Sequence, residues 1–278
     1  MSKELRDEGL ENGEPAAPRE REMTFWEHLE EMRGVIFRCL ITFSLVMLLL
    51  AFFLGAAADI LAWPLMRAQS GYPPEALVNL MSRRPFDIFT VIIQVLFLGS
   101  FFLSLPAMLF FFARFLAPGL TLKEKRLLLP GMASAYFLFL IGAAFAYLVI
   151  LPITLRVALQ LNQVFDFGII WTASDYYGMV VWISVLMGAL FQFPLVLILL
   201  IYIELVRTEQ LKRQRRLVFV ICLIIGALIV PTGDPITFLF IALPLFGLYL
   251  LSIRIGESME RRMMVRRRSE VVDEDSLT

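Results

Sequence analysis

The sequence predicts an all-α integral membrane protein with six transmembrane helices, N-in and C-in, and three observations carry that reading. Of 278 residues, 59% are hydrophobic and 18% charged, with a mean hydropathy of +0.77, far from the mixture found in soluble domains. Apolar runs recur along the chain, most of them long enough to cross about 30 Å of hydrocarbon. Lys and Arg alternate between connections. They crowd the start (Arg33, Arg38), the second connection (Arg114, Lys123, Lys125, Arg126), the fourth (Arg207, Lys212, Arg213, Arg215, Arg216) and the tail (Arg254, Arg261, Arg262, Arg266, Arg267, Arg268), leaving Arg67, Arg83, Arg84 and Arg156 to the others. Basic connections stay cytoplasmic, so both termini are expected inside although the net charge is +0.

The first span is placed at 35–62, led in by "MTFWEHLEEMRGVIFRCL". Thr24 with Glu27 three residues later has the form of a capping box. Phe25, Trp26, Leu29, Met32 and Ile36 then recur at helical spacing, with Glu27, Glu30 and Glu31 off that stripe. This predicts a short amphipathic helix lying on the inner membrane surface, its Trp26 at headgroup level. Surface helices ordinarily carry Lys and Arg on the polar face. An acidic face therefore points either to a cationic partner or simply to solvation.

The second span is placed at 88–115. After it, Thr121 and Glu124 in "APGLTLKEKRLLLP" again form a capping-box pattern that starts the third span, 127–151. Capping leaves a carboxylate at a helix start reachable, so Glu124 and Glu31 are expected on the same membrane face. The fourth span, 179–205, carries Gln192 two residues before Pro194. An amide inside lipid must find partners, and Pro194 frees the carbonyl of Leu190 for a local bond. The fifth span, 217–230, is short, about 21 Å at 1.5 Å per residue. Either the bilayer thins there or the chain re-enters, and "VPTGDP" at 230–235 turns it back. The sixth span is placed at 236–253.

Residues 1–22 are polar and acidic and read as a disordered cytoplasmic N-terminus without a signal peptide. The membrane domain occupies 23–255, and 256–278 form a charged cytoplasmic tail whose end, "RRRSEVVDEDSLT", also reads as disordered. Cys39 and Cys222 read as packing residues, and one histidine with two remote cysteines excludes a zinc site. There is no nucleophile with a base and no glycine-rich phosphate loop, so neither enzyme chemistry, a cofactor nor nucleic acid is expected. "SRRPF" at 82–86 looks like a twin-arginine export signal, but it lies far inside the chain and reads as an accidental basic pair. A secondary transporter or channel for a small solute is the alternative with six spans, yet no matching halves are visible. His28, ahead of the first span, suits an interfacial polar residue better than half of a protease's catalytic pair.

"HLEEMR" at 28–33, "FLAPGLTLKEKR" at 115–126, "IGAAFAYLVILP" at 141–152, "FQFPLVL" at 191–197 and "VPTGDP" at 230–235 together resemble the TatC family, the multispanning receptor subunit of the twin-arginine protein translocase. The resemblance runs from about residue 23 to 255. It implies a curved, concave bundle in the inner membrane that binds twin-arginine signal peptides of folded precursors. It also implies assembly with single-span TatA-type and TatB-type subunits and with further copies of itself, and a proton gradient that drives export. Glu31 and Glu124 are the carboxylates expected to receive the paired arginines, with Arg33, Lys125 and Arg126 beside them. A guanidinium forms two parallel bonds to a carboxylate where a lysine cannot. Gln192, where many members carry a glutamate, is expected to meet a partner helix from the concave side, and Asp234 to lie in a turn near that partner.

Overall fold

The computed structural model describes residues 25–73, 77–117, 122–165, 171–203, 205–229 and 235–275. The side chains of 25, 27, 28, 122–127, 236 and 262–275 lie outside the description. The described residues are helical apart from connections and one isolated bridge between Met81 and Thr172.

Helix α1 runs unbroken through Phe25–Ala51. The separate surface helix expected from the lead-in is thus the first turns of the span itself, because its periodicity continues without a breaker into the apolar run. The helix tightens at its end, where the amides of Phe52 and Phe53 donate to the carbonyls of Leu49 and Leu50. Residues up to 62, assigned from hydropathy to the first span, belong instead partly to a second helix, α2 (Leu54–Ala68). Pro64 sits inside α2 and is buried. Having no N–H, it cannot serve the carbonyl of Ile60, and the hydroxyl of Tyr147 donates there instead. Tyr176 donates to the carbonyl of Leu61 at 2.7 Å and Tyr177 to that of Ala58 at 3.4 Å. Three tyrosines from elsewhere therefore hold α2 against the body.

Helix α3 (Asp87–Leu116) packs on α1, and Phe43 meets Phe97 edge-on at 5.5 Å. Next come α4 (Leu122–Phe145), a π turn (Ala146–Ile150) and α5 (Leu151–Val164), which form one continuous rod rather than a span ending at 151. Pro152 removes the donor for Leu148, and the π turn absorbs the mismatch just ahead of it. The fourth span is two helices, α6 (Ala173–Leu190) and α7 (Phe193–Tyr202), broken at Phe191 and Gln192. Pro194 lies in the first turn of α7, where a missing N–H costs nothing. A short α8 (Thr208–Arg213) leads to α9 (Arg215–Ile229) and then to α10 (Pro235–Asp275). The tail expected to be disordered is therefore helical to Asp275.

Five helical stretches among the described residues are long and apolar enough to cross a membrane. The 15 residues of α9 reach only about 22 Å. It pairs closely with α10: a Cβ on Gly226 would come within 2.6 Å of the carbonyl oxygen of Phe238. Cys39 and Cys222 are free thiols.

The connections gather at two ends. At one, Met81 donates its amide to Trp171 and Ala173 donates to Met81, each at 2.9 Å, while Gln69 donates to Val78 at 3.0 Å. This brings the connections containing Arg84 and Trp171 to a common face. At the other end, Thr208 donates from its amide (3.0 Å) and its hydroxyl (2.5 Å) to the two carboxylate oxygens of Glu260. Lys212 pairs with Glu257, and Tyr249 donates to the carbonyl of Leu211 at 2.7 Å. The fourth connection is thereby clamped to the continuation of α10.

Candidate functional site

On α1 the partly or fully buried positions 31, 34, 35, 39, 42, 43, 46, 47 and 50 follow helical spacing, while 32, 33, 36, 37, 38, 40, 41, 44, 45, 48 and 49 are exposed. Glu31 thus belongs to the face that packs on α3, one turn before Val35, which is 7% exposed. The lead-in pattern alone places Glu31 on a face turned to the cytoplasm. Trp26, Met32 and Ile36 of the apolar stripe face outward, as suits lipid, and of the lead-in acids whose side chains are described only Glu30 lies on an exposed face. The exposed stripe suits the membrane, as the amphipathic reading of the lead-in expects; what differs is Glu31, which turns to the neighbouring helix instead of the cytoplasm.

Oε2 of Glu31 is buried and has no hydrogen-bond partner among the described residues. An ionised carboxylate oxygen out of water is costly unless a cation or donor meets it. Arg33, two residues on, does not serve: its guanidinium lies 5.7 Å over the ring of Phe37. Helix α3 packs against both α1 and α4, and α4 starts at Leu122, one residue after the expected cap at Thr121. Glu124 therefore lies in the first turn of α4. The side chains of Glu124, Lys125 and Arg126, and residue Asp234, lie outside the described residues.

Gln192 sits at the break between α6 and α7, half-buried. Its Nε2 donates at 2.7 Å to the carbonyl of Ala135 on α4, not to Leu190 as a local bond would require. Close packing fixes the break: a Cβ on Gly142 would lie 2.6 Å from Cγ of Phe191 and 2.7 Å from the carbonyl oxygen of Met187. One N–H and the carbonyl oxygen of the amide remain for other partners. Among the described residues there is no cluster of His, Cys, Asp or Glu able to hold a metal ion.

Sequence reasoning missed the three tyrosine bonds to α2 and the Glu260 clamp. Pro64 was the available signal for the first, since it marks Ile60 as a carbonyl in need of a donor. Nothing local marks Glu260, whose partner is 52 residues away.

Residues 27–244 match the family described as Sec-independent protein translocase protein (TatC). The chain belongs to the TatC family. The TatC protein of Aquifex aeolicus is 31% identical over 241 residues, covering 86% of this chain and 97% of its own length. That of Halalkalibacterium halodurans is 27% identical over 244 residues, covering 88% and 93%. A crystal structure described as the twin arginine translocase receptor TatC superposes with a TM-score of 0.68 at 31% identity, over 83% of this chain and 98% of that one. A second, obtained in DDM, gives 0.70 over 83% and 99%. As a TatC the protein is a membrane component of a protein translocase and not an enzyme.

Proposed function

We propose that the protein is the receptor subunit of a twin-arginine translocase, binding the paired arginines of signal peptides on folded precursors and nucleating assembly with TatA-type and TatB-type single-span subunits. Export is then driven by the proton gradient. The observation that carries this reading is Oε2 of Glu31 on the packing face of α1, buried and without a hydrogen-bond partner among the described residues. A guanidinium arriving there gains a charge-assisted bond that the described residues do not supply. Glu124, in the first turn of α4 on the far side of α3, is the second receiver. Arg33, Lys125 and Arg126 belong to the same signal-peptide site in this reading. In this reading α9 is the short fifth of six crossings of the inner membrane, and both termini and the clamped α8 connection lie in the cytoplasm. Gln192 offers its spare amide groups to a partner helix on a concave surface, with Asp234 in the adjoining turn, and several copies share the complex.

Photo-crosslinking from positions beside Glu31 and Glu124 to a purified twin-arginine signal peptide tests this. Glu31→Gln keeps the shape and removes the charge. Losing one charge-assisted bond, worth about 1.5–3 kcal/mol, should weaken signal binding about tenfold or more, with the protein inserted and abundant. Equal crosslinking by the Glu31→Gln, Glu124→Gln double variant would leave both carboxylates as structural groups only.

A further inference from the structure

Arg67 ends α2 and Arg156 lies in the middle of α5, 89 residues away, yet the fold brings them to one point. Nη2 of Arg156 donates to the backbone carbonyl of Arg67 at 3.2 Å and to Oγ of Ser70 at 3.3 Å. That hydroxyl in turn donates to the same Arg67 carbonyl at 2.7 Å. The guanidinium of Arg156 thus sits at the end of the helix that carries the exposed Arg67. Both arginines are exposed, and among the described residues neither has a carboxylate partner.

Helix capping accounts for part of this. The C-terminus of a helix carries about half a negative charge, which favours one cation and does not balance two. Capping also engages only Nη2 of Arg156, leaving most of its five N–H donors and every one on the Arg67 side chain unused by the described residues. The surroundings say what kind of anion fits. One turn before Arg67, Trp63 stacks on Tyr147 at 5.6 Å, a pairing typical of the boundary between hydrocarbon and headgroups. Ile60, a turn before Trp63, is 62% exposed, part of an apolar surface that only acyl chains solvate. The arginine stems can then run along that surface with their heads at phosphate depth.

We propose that Arg67 and Arg156 form a seat for the phosphate of an anionic phospholipid, with its chains lying along the face of α2 that carries Trp63 and Ile60, one turn and two turns before Arg67. The phosphate diester bridges the two guanidiniums through charge-assisted bonds, and its occupancy holds the α2 end against α5. A soluble phosphate has the same headgroup chemistry but gains nothing from the apolar face, so the occupant is the lipid.

The test uses the full chain in vesicles of phosphatidylcholine with a minority of phosphatidylglycerol, with benzoylphenylalanine placed at Ile60 to capture the adjacent lipid for mass analysis. Phosphatidylglycerol adducts should exceed their bulk proportion, and the enrichment should fall about fivefold for each arginine removed in Arg67→Gln and Arg156→Gln. Arg67→Gln is the safer variant, because its side chain bonds to nothing described. Arg156→Lys should retain most of the enrichment. Adducts at the bulk lipid ratio in the unmodified chain, or enrichment unchanged in Arg67→Gln, would overturn the proposal. So would loss of the enrichment on adding millimolar inorganic phosphate at constant ionic strength, which would assign the seat to a soluble anion.

Discussion

The hydroxyl of Tyr147 donates to the carbonyl of Ile60, the acceptor in α2 that Pro64 deprives of its helical donor. A defect in one helix is thereby made into a tertiary bond to another. Tyr147→Phe should lower stability by about 1–2 kcal/mol, the cost of an orphaned carbonyl, seen as a lower Tm in detergent. The loss should be smaller in a Pro64→Ala background, where Ile60 regains a helical donor. No loss in either background would mean that Tyr147 acts only through its stack on Trp63, which phenylalanine keeps.

Glycines in this fold separate into packing and non-packing positions. Gly142→Ala places a methyl against the backbone oxygen of Met187 and the ring of Phe191, so a helix must shift, and a cost of about 1–3 kcal/mol is expected. At Gly131, in the same helix, an added Cβ would meet no atom within 4 Å, so Gly131→Ala should be neutral or stabilise by up to about 1 kcal/mol. Thermal unfolding of the two variants side by side decides the matter. A reversed order would show that Gly142 is not a helix contact.

The C-terminal part of α10 is joined to the fourth connection by one strong contact and one weak one. Glu260 receives both the amide and the hydroxyl of Thr208, whereas the Lys212 pair with Glu257 is exposed on the lysine side. Glu260→Ala should free the fourth connection and raise protease cleavage between Arg207 and Arg213. Lys212→Ala should change cleavage little, since exposed pairs contribute about 0–1 kcal/mol. The opposite ranking in a limited-trypsin time course would move the clamp to the ion pair.

Much of this architecture was legible in the sequence because lipid imposes long apolar runs. The runs announce α1, α3, α4, the joined α6 and α7, α9 and α10, whereas α2, α5 and α8 were not foreseen as separate helices. What stayed illegible depends on partners distant in sequence. Hydropathy could not divide 35–62 into α1 and α2, because both helices are apolar and the break carries no proline. Periodicity set Glu31 apart from Trp26 and Met32, but the side facing protein could be known only once α3 was in place. Gln192 was visible as an anomaly, while its partner, Ala135, is a backbone carbonyl that no side-chain pattern reports.

That last bond sets what substitutions at 192 should do. Gln192 donates to a carbonyl. In the Gln192→Glu variant only the protonated carboxylic acid has a hydrogen to donate, since an ionised carboxylate is acceptor-only. Because the fold then binds the protonated form, the bond's contribution is present at low pH and is lost as pH rises and the introduced acid ionises. Thermal unfolding of Gln192→Glu should therefore match the parent in acid and fall away toward alkaline pH, while Gln192→Leu should sit lower at every pH by about 0.6–2 kcal/mol. Export assays separate this latch from a partner contact. If the amide serves only α4, activity in the leucine variant should follow stability alone. If it also meets a single-span partner, partner crosslinking should fall even where the variant remains folded. A Gln192→Glu protein whose Tm, relative to the parent, is flat with pH, together with a Gln192→Leu protein as stable as the parent, would show that the Ala135 bond contributes nothing to the fold.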